Sequence, residues 1–173
     1  MKITNVKKSV LSNWVTLTTN SVEYNNQVED YHSFELHDYT SIIAINNSRE
    51  IVLVEQFRPA VNKTTLELPG GIVESDEGPK KTVIKELFEE TGYVIDGDIK
   101  LIGKIDIDYG RIKNKAFGYF TKEINLATNG KNSEGIKPVT MDIDQCLNMA
   151  LDNKFTHSPH LSFLLLAKIK ELI

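Results

Sequence analysis

The chain has 173 residues, enough for one domain of ordinary size with a sizeable core. Hydrophobic residues make up 40% and charged residues 25%, the balance of a globular, soluble protein and not of a disordered one. A net charge of −4 gives no electrostatic footprint for a nucleic acid or a membrane surface, so neither is expected as a partner. The start, Met1-Lys2-Ile3-Thr4-Asn5, lacks the apolar region of a signal peptide, and no apolar stretch is long enough to span a bilayer. The expected location is cytoplasmic. Cys146 is the single cysteine, so no intrachain disulfide is expected; Leu147 and Ala150 beside it suggest a buried helix position.

Residues 1–38 read as strands. Trp14 to Thr19 is β-branched and alternating, and Asn25-Asn26 turns the chain into Val28 to Leu36. Ser41 to Ile45 is a buried strand, closed by the turn signal Asn46-Asn47-Ser48. Ile51 to Arg58 is a second buried strand, ended by Pro59. A helix then opens at Pro79, where a first-turn proline is tolerated, and stops at Gly92. Lys100 to Asp106 and Lys115 to Lys122 are strands joined through the loop Asp108 to Arg111. Asn125 to Lys137, polar and glycine-bearing, reads as a longer loop. Asp142 or Asp144 caps a helix over Gln145 to Leu151. Ser158-Pro159 starts a last helix, with Leu161, Leu164, Leu165, Lys168, Ile169 and Leu172 at helical spacing. This order fits an α/β sandwich, with an N-terminal antiparallel strand unit over 1–38 and the main domain over 39–173.

The most informative stretch runs from Glu67 to Tyr93. On its helix Val83, Ile84, Leu87 and Phe88 share one broad face, and Glu86, Glu89 and Glu90 fall together roughly opposite. Like charges at this spacing repel by about 0.2–0.5 kcal/mol per pair. Glu89 and Glu90 also stand in the last turn, where the helix dipole disfavours anions. Lys85 is the only cation nearby. A divalent cation would relieve the repulsion, and clustered carboxylates suit a hard ion such as Mg²⁺.

The spacing is specific. Gly71, five residues, Glu77, seven residues, then Lys85-Glu86-Leu87-Phe88-Glu89-Glu90-Thr91-Gly92-Tyr93 closely resembles the Nudix box. Lys85 stands where that family has Arg, and Tyr93 is an aromatic version of the last apolar position. Val54-Glu55-Gln56-Phe57-Arg58 and Leu66-Glu67-Leu68-Pro69-Gly70-Gly71 resemble the ADP-ribose pyrophosphatase branch, as do the N-terminal strands and C-terminal helices. Gly70 replaces that branch's Ala, a change expected to be mild because the family uses a backbone carbonyl there. The loop at Tyr109-Gly110 lacks the Ser-Pro that often precedes this glycine, which leaves the substrate open.

The resemblance implies a Nudix-type α/β/α sandwich and attack of water on a phosphorus of a diphosphate. It implies Mg²⁺, with Mn²⁺ as an alternative. Glu86, Glu90 and the Gly70 carbonyl are the expected ligands, and Glu89 is either a third ligand or a hydrogen-bonding orienter. Lys85 would position the carboxylates, although as a point charge and not a planar fork; it also reads as a surface lysine in an i,i+4 pair. Arg58 meets a phosphate or makes a structural ion pair. Glu67 orients the loop, joins the metal site or bonds backbone. Arg111 holds an anionic substrate or is an exposed loop arginine. Glu77 is structural, at the start of the helix. Glu134, in the loop Ser133 to Ile136, is the candidate general base or else a solvated carboxylate. His32, His37, His157 and His160 show no metal-ligand spacing, and the last two read as surface or capping residues at a helix start.

The reading is therefore a Mg²⁺-dependent pyrophosphatase for a small-molecule nucleoside diphosphate sugar, ADP-ribose foremost, giving AMP and ribose 5-phosphate. The alternatives are other nucleotide sugars, dinucleotide polyphosphates, or a sensor that binds a nucleotide sugar without turnover. Trp14, Val15, Leu17, Tyr31, Phe34 and Leu36 have no helix of their own to cover them, and isolated strands are marginal in water. With the branch's twofold dimers, in which this segment helps bind substrate, that implies a homodimer.

Overall fold

The central strands are apolar on consecutive residues, and consecutive residues of a strand point to opposite faces, so both faces of such a sheet must be covered. A computed structural model describes residues 1–74, 77–128 and 133–173. In chain order the described elements are β1 (Lys2–Ser12), β2 (Val15–Tyr24), β3 (Gln27–Leu36), β4 (Tyr39–Ala44), β5 (Glu50–Arg58), a 3-10 turn at Pro59–Val61, β6 (Lys63–Glu67) and β7 (Gly70–Ile72). There follow α1 (Pro79–Thr91), β8 (Tyr93–Ile95), β9 (Lys100–Asp108), β10 (Ile112–Thr121), β11 (Ile124–Leu126), β12 (Ile136–Asp142), α2 (Ile143–Leu151) and α3 (Ser158–Ile169).

The main sheet runs β1-β2-β3-β10-β4-β7, with β9 on the other edge of β10. β3 and β4 follow one another along the same edge of β10, both parallel to it. A second sheet, β12-β5-β6, is antiparallel, and β8 pairs with β11. Alternation sorts the core into two. Ile43, Ile45, Ile51, Leu53 and Phe120 pack with Cys146 of α2 and with Phe163, Leu164 and Ala167 of α3. Ile42, Ala44, Val52 and Tyr119 pack with Val83 and Leu87 of α1. The result is helix, sheet and helix in three layers, the α/β/α class the sequence implied.

Local chemistry sets the ends of the elements. Asn25 and Asn26 turn β2 into β3 with φ of 51° and 60°, the left-handed pair a two-residue hairpin needs. Asp142, not Asp144, caps α2, its carboxylate accepting from the Asp144 and Gln145 N–H groups. Pro79 occupies the first turn of α1, and Gly92 closes it at φ 75° with its N–H on the Phe88 carbonyl at 2.9 Å.

Several expectations need correcting. The loop expected over 125–137 takes in the end of β11 and the first residues of β12; residues 129–132 within it lie outside the described residues. No strand is expected over 136–142, where Lys137 and Pro138 interrupt the alternation; the β12 backbone is held there by β5. The buried face of α1 is Thr82, Val83, Leu87, Glu90 and Thr91, whereas Ile84 and Phe88 are each 39% exposed. Glu90 thus lies on the buried face and not opposite it. On α3 the core residues are Pro159, His160, Phe163, Leu164 and Ala167, and Leu165 and Ile169 face outward. The N-terminal unit has three strands, because β1 pairs along β2. In the single chain Ile3, Val6, Val10, Leu11, Trp14 and Tyr31 of this unit are exposed.

Gly118 of β10 lies under the Phe163 ring, where an added Cβ would be 2.2 Å from the ring. Gly118→Ala should therefore destabilise the protein by about 1–3 kcal/mol through overpacking. Thermal unfolding checks this: a clear drop in Tm is expected, and an unchanged Tm would contradict the close approach of α3 to β10.

Candidate active site

The site is built around the break between β6 and β7. The chain leaves β6 at Glu67, passes Leu68 and Pro69, and rejoins the main sheet at Gly70, paired with Ser41, while the Pro69 carbonyl accepts from the Ile42 N–H at 3.0 Å. A Cβ on Gly70 would sit 2.1 Å from the Thr40 carbonyl oxygen, and one on Gly71 would sit 2.5 Å from Glu86 Oε1. Alanine at position 70 would clash in this chain, because the β4 backbone occupies its place. Gly71 leaves room for a carboxylate.

Two carboxylates from α1 converge there. Glu90, 4% exposed, accepts a hydrogen bond on Oε2 from the Gly70 N–H at 2.9 Å. Burial pushes its carboxyl up to about 7, against the opposing pull of the Gly70 N–H and with added repulsion from Glu86. Glu86 is raised as well, by burial first and then by Glu89. Glu89 is partly exposed; its backbone carbonyl accepts from the Ser133 N–H at 2.8 Å and from Ser133 Oγ at 3.1 Å. Lys85 is exposed, its charge favoured by Glu74 first, then by Glu89 and Glu77. Glu77 precedes the helix cap Gly78. Burial is the first cause of both shifts, and neighbouring carboxylates add to it by repulsion. The donors are hard oxygens, which fit Mg²⁺ or Mn²⁺. Glu86 and Glu90 would hold the ion, and Glu89 stands one residue before Glu90.

Arg58 and Glu67 resolve as an ion pair that also faces open space. The guanidinium Nε and Nη2 donate to the two Glu67 oxygens, each at 2.7 Å, and Thr65 Oγ1 donates to Oε1 at 2.6 Å. Burial alone would raise the Glu67 carboxyl, but the Arg58 and Thr65 bonds outweigh it and hold it low. Glu67 is thus fixed as an anion. Arg58 remains partly exposed and lines a cavity of about 730 Å³ together with Trp14, His37, Tyr39, Lys63, Lys154 and His157. Trp14 meets His37 edge to face at 5.8 Å on one wall.

His160 corrects a second expectation. It is fully buried, not a surface residue. Its Nδ1 faces the Leu68 N–H at 3.2 Å and so must accept; the network therefore assigns the proton to Nε2, which donates to Tyr39 Oη at 2.7 Å. Burial, with His157 and Arg58 nearby, keeps this imidazole neutral. Glu67, His157 and His160 present ligand atoms within 4.8 Å of one another, which the sequence spacing did not suggest. With both His160 nitrogens bonded and Glu67 held by Arg58 and Thr65, we read the group as a hydrogen-bonded cluster and not as a metal centre.

Two candidates lie apart. Arg111 is exposed on the β9–β10 turn, pairs with Asp108 at 3.1 Å and does not line the cavity. Glu134 is exposed in the turn before β12, next to Ser133, which ties that turn to the C-terminal end of α1. Sequence reasoning missed Tyr39, Lys63 and Lys154 altogether. No spacing links them; the strand register and the α2–α3 connection bring them to the cavity.

The NUDIX domain model matches residues 35–158. The chain belongs to the NUDIX domain family. A 53-residue stretch, 31% of this chain, is 47% identical to the methanol dehydrogenase activator of Bacillus methanolicus and covers 29% of that protein. A stretch of the same length is 40% identical to the ADP-ribose pyrophosphatase of Bacillus subtilis (strain 168), again 29% of that protein. These matches span under a third of each curated relative. A solved structure described as an ADP compounds hydrolase superposes with a TM-score of 0.80 over 96% of this NUDIX chain and 91% of its own, at 16% identity, which shows a shared fold.

The folded Glu90 value lies above the 4.5 of a free carboxylate, so the folded chain binds that proton more tightly than the unfolded chain. This contribution is fully present below the lower value and is lost as pH rises through about 7. In chelator, stability should fall between about pH 5 and pH 8, by about 1.4 kcal/mol per unit of pKa difference. Glu90→Gln, which keeps an acceptor for Gly70, should flatten that slope. A melt series in which wild type and variant share one profile would contradict a buried, unpaired Glu90.

Proposed function

We propose that this NUDIX chain is a divalent-cation-dependent pyrophosphatase for a nucleoside diphosphate linked to a sugar, with ADP-ribose the leading substrate and AMP and ribose 5-phosphate the products. The observation that carries the reading is the convergence of Glu86 and Glu90 on the Gly70–Gly71 turn, whose flanking residues Glu67 and Ile72 line the same cavity as Arg58. A binding protein has no need of two crowded carboxylates, one of them buried, at that cost in repulsion. The similarity to an ADP-ribose pyrophosphatase supports the choice of nucleotide sugar.

Glu86 and Glu90 would hold a divalent cation, which when bound would supply charge neutralisation for the diphosphate and a water of lowered pKa. The chain's own residues do the rest. Arg58, its fork locked on Glu67, offers its remaining N–H groups to a phosphate oxygen without having to be ordered. Glu134 takes the proton of the attacking water, and Ser133 keeps its turn on α1. Trp14, which also lines the cavity, provides an aromatic face for the base. Lys85 draws the carboxylates of the box loop and of α1 together.

The N-terminal unit makes the active form a homodimer. Its exposed Ile3, Val6, Val10 and Leu11 are the apolar surface that a second copy would cover. Sedimentation should give a dimer at micromolar concentration, and a chain lacking residues 1–38 should be insoluble or inactive. A stable monomer with full hydrolase activity contradicts both.

The reaction is tested by incubating the protein with ADP-ribose, other nucleotide sugars and dinucleotide polyphosphates plus Mg²⁺, and separating the products by chromatography. AMP and ribose 5-phosphate are expected. Glu86→Gln and Glu90→Gln should each remove most of the turnover while the protein stays folded, and Lys85→Arg should keep or raise it. Near-normal turnover in either glutamine variant at saturating Mg²⁺ rules out the ligand assignment.

A further inference from the structure

We infer that His160 is a positioning residue that clamps the Leu68–Ile72 segment and so sets the place of Gly70 and Glu90. This rests on the reading of Glu86 and Glu90 as a divalent-cation site.

The argument starts from a backbone problem. β6 ends at Glu67 and β7 begins at Gly70, so Leu68 lies in the gap between two sheets. Its side chain is buried, and its N–H takes the His160 imidazole as acceptor. A buried backbone donor left alone is costly, so the chain needs an acceptor at that point. The same ring donates from Nε2 to Tyr39, and Tyr39 is the backbone partner of Ile72 on β4–β7. One imidazole thus holds one end of a five-residue segment directly and braces the strand residue that pairs with the other end. In the middle of that segment the Gly70 N–H carries Glu90 Oε2 at 2.9 Å, and Gly71 abuts Glu86.

The clamp is itself stiff. His160 sits in the first turn of α3, packed between Tyr39, Phe155 and His157, whose ring centroids lie 5.9, 6.1 and 4.0 Å away. The α3 layer behind it is core, through Phe163, Leu164 and Ala167. Burial and two fixed hydrogen bonds leave the ring one tautomer and one orientation. A phenylalanine would fill the space and break both bonds. An asparagine would keep an acceptor near Nδ1, and Tyr39→Phe removes only the second bond.

Mn²⁺ binding to the full chain, followed by electron paramagnetic resonance, tests this without relying on turnover. Amide hydrogen exchange at Leu68 and Gly70 in chelator gives a second readout. His160→Phe should weaken Mn²⁺ binding by roughly ten- to a hundredfold, the usual effect of losing a partner that orients a ligand. It should also speed exchange at Leu68 and Gly70 over that of distant core amides. His160→Asn should recover much of both, and Tyr39→Phe should fall between. If wild type binds Mn²⁺ and folded His160→Phe or Tyr39→Phe binds it equally well with unchanged exchange, the positioning role is overturned. Should His160→Phe fail to fold, His160→Asn and Tyr39→Phe decide the matter by the same criteria. Failure of wild type to bind Mn²⁺ overturns the cation site, and this inference with it.

Discussion

The site depends on one hydrogen bond placed where a charge is hard to keep. The Gly70 N–H reaches Glu90 in a setting with almost no solvent, and that bond joins the end of α1 to the strand break. Burial works against the carboxylate and a single N–H does not restore its ordinary acidity, so Glu90 stays poised near neutrality. Around it the packing is tight. Gly70 is confined by the backbone of β4, Gly71 by Glu86, and Leu68 by His160. The local stability given up by crowding two acids is offset by the two apolar cores on either side of the sheet.

Much of this was legible in the sequence, for identifiable reasons. The fixed spacing from Gly71 through Glu77 to Glu86 and Glu90 marks a turn followed by a helix, and the structure has both. Pro79, Gly92, Asp142 and the Asn25–Asn26 pair carry their conformational preferences locally, so they marked ends and turns correctly. What depends on tertiary contact was not legible. Periodicity grouped Glu90 with Glu86 and Glu89, but the segment at 68–72 lies over α1 and draws Glu90 inward. Periodicity likewise favoured the leucines of α3 and missed His160, because a buried histidine looks polar until its two partners are known. Tyr39 and His160 are 121 residues apart, a separation no local pattern can bridge.

Of the two readings of Arg58, the structure shows the ion pair with Glu67. Its Nε and Nη2 are paired with Glu67, and the residue also lines the cavity. The pair fixes a long side chain that would otherwise be mobile. Glu67 in turn is one residue before Leu68, so the fixed arginine and the clamped glycine turn are parts of one short stretch of backbone. Arg111, by contrast, has only an exposed partner three residues away, and nothing in the fold turns it toward the site.

The central claim is that Glu90 and Glu86 form a site completed by a divalent cation. Calorimetric titration of Mg²⁺ into the metal-free protein tests it most directly, run near pH 7 in buffers of different ionisation enthalpy. Because Glu90 holds a proton near neutrality, the account predicts binding of one ion per site with measurable proton release, which fades as pH is raised well above 7. Binding with no proton release near neutrality, or no binding at millimolar Mg²⁺, would contradict it.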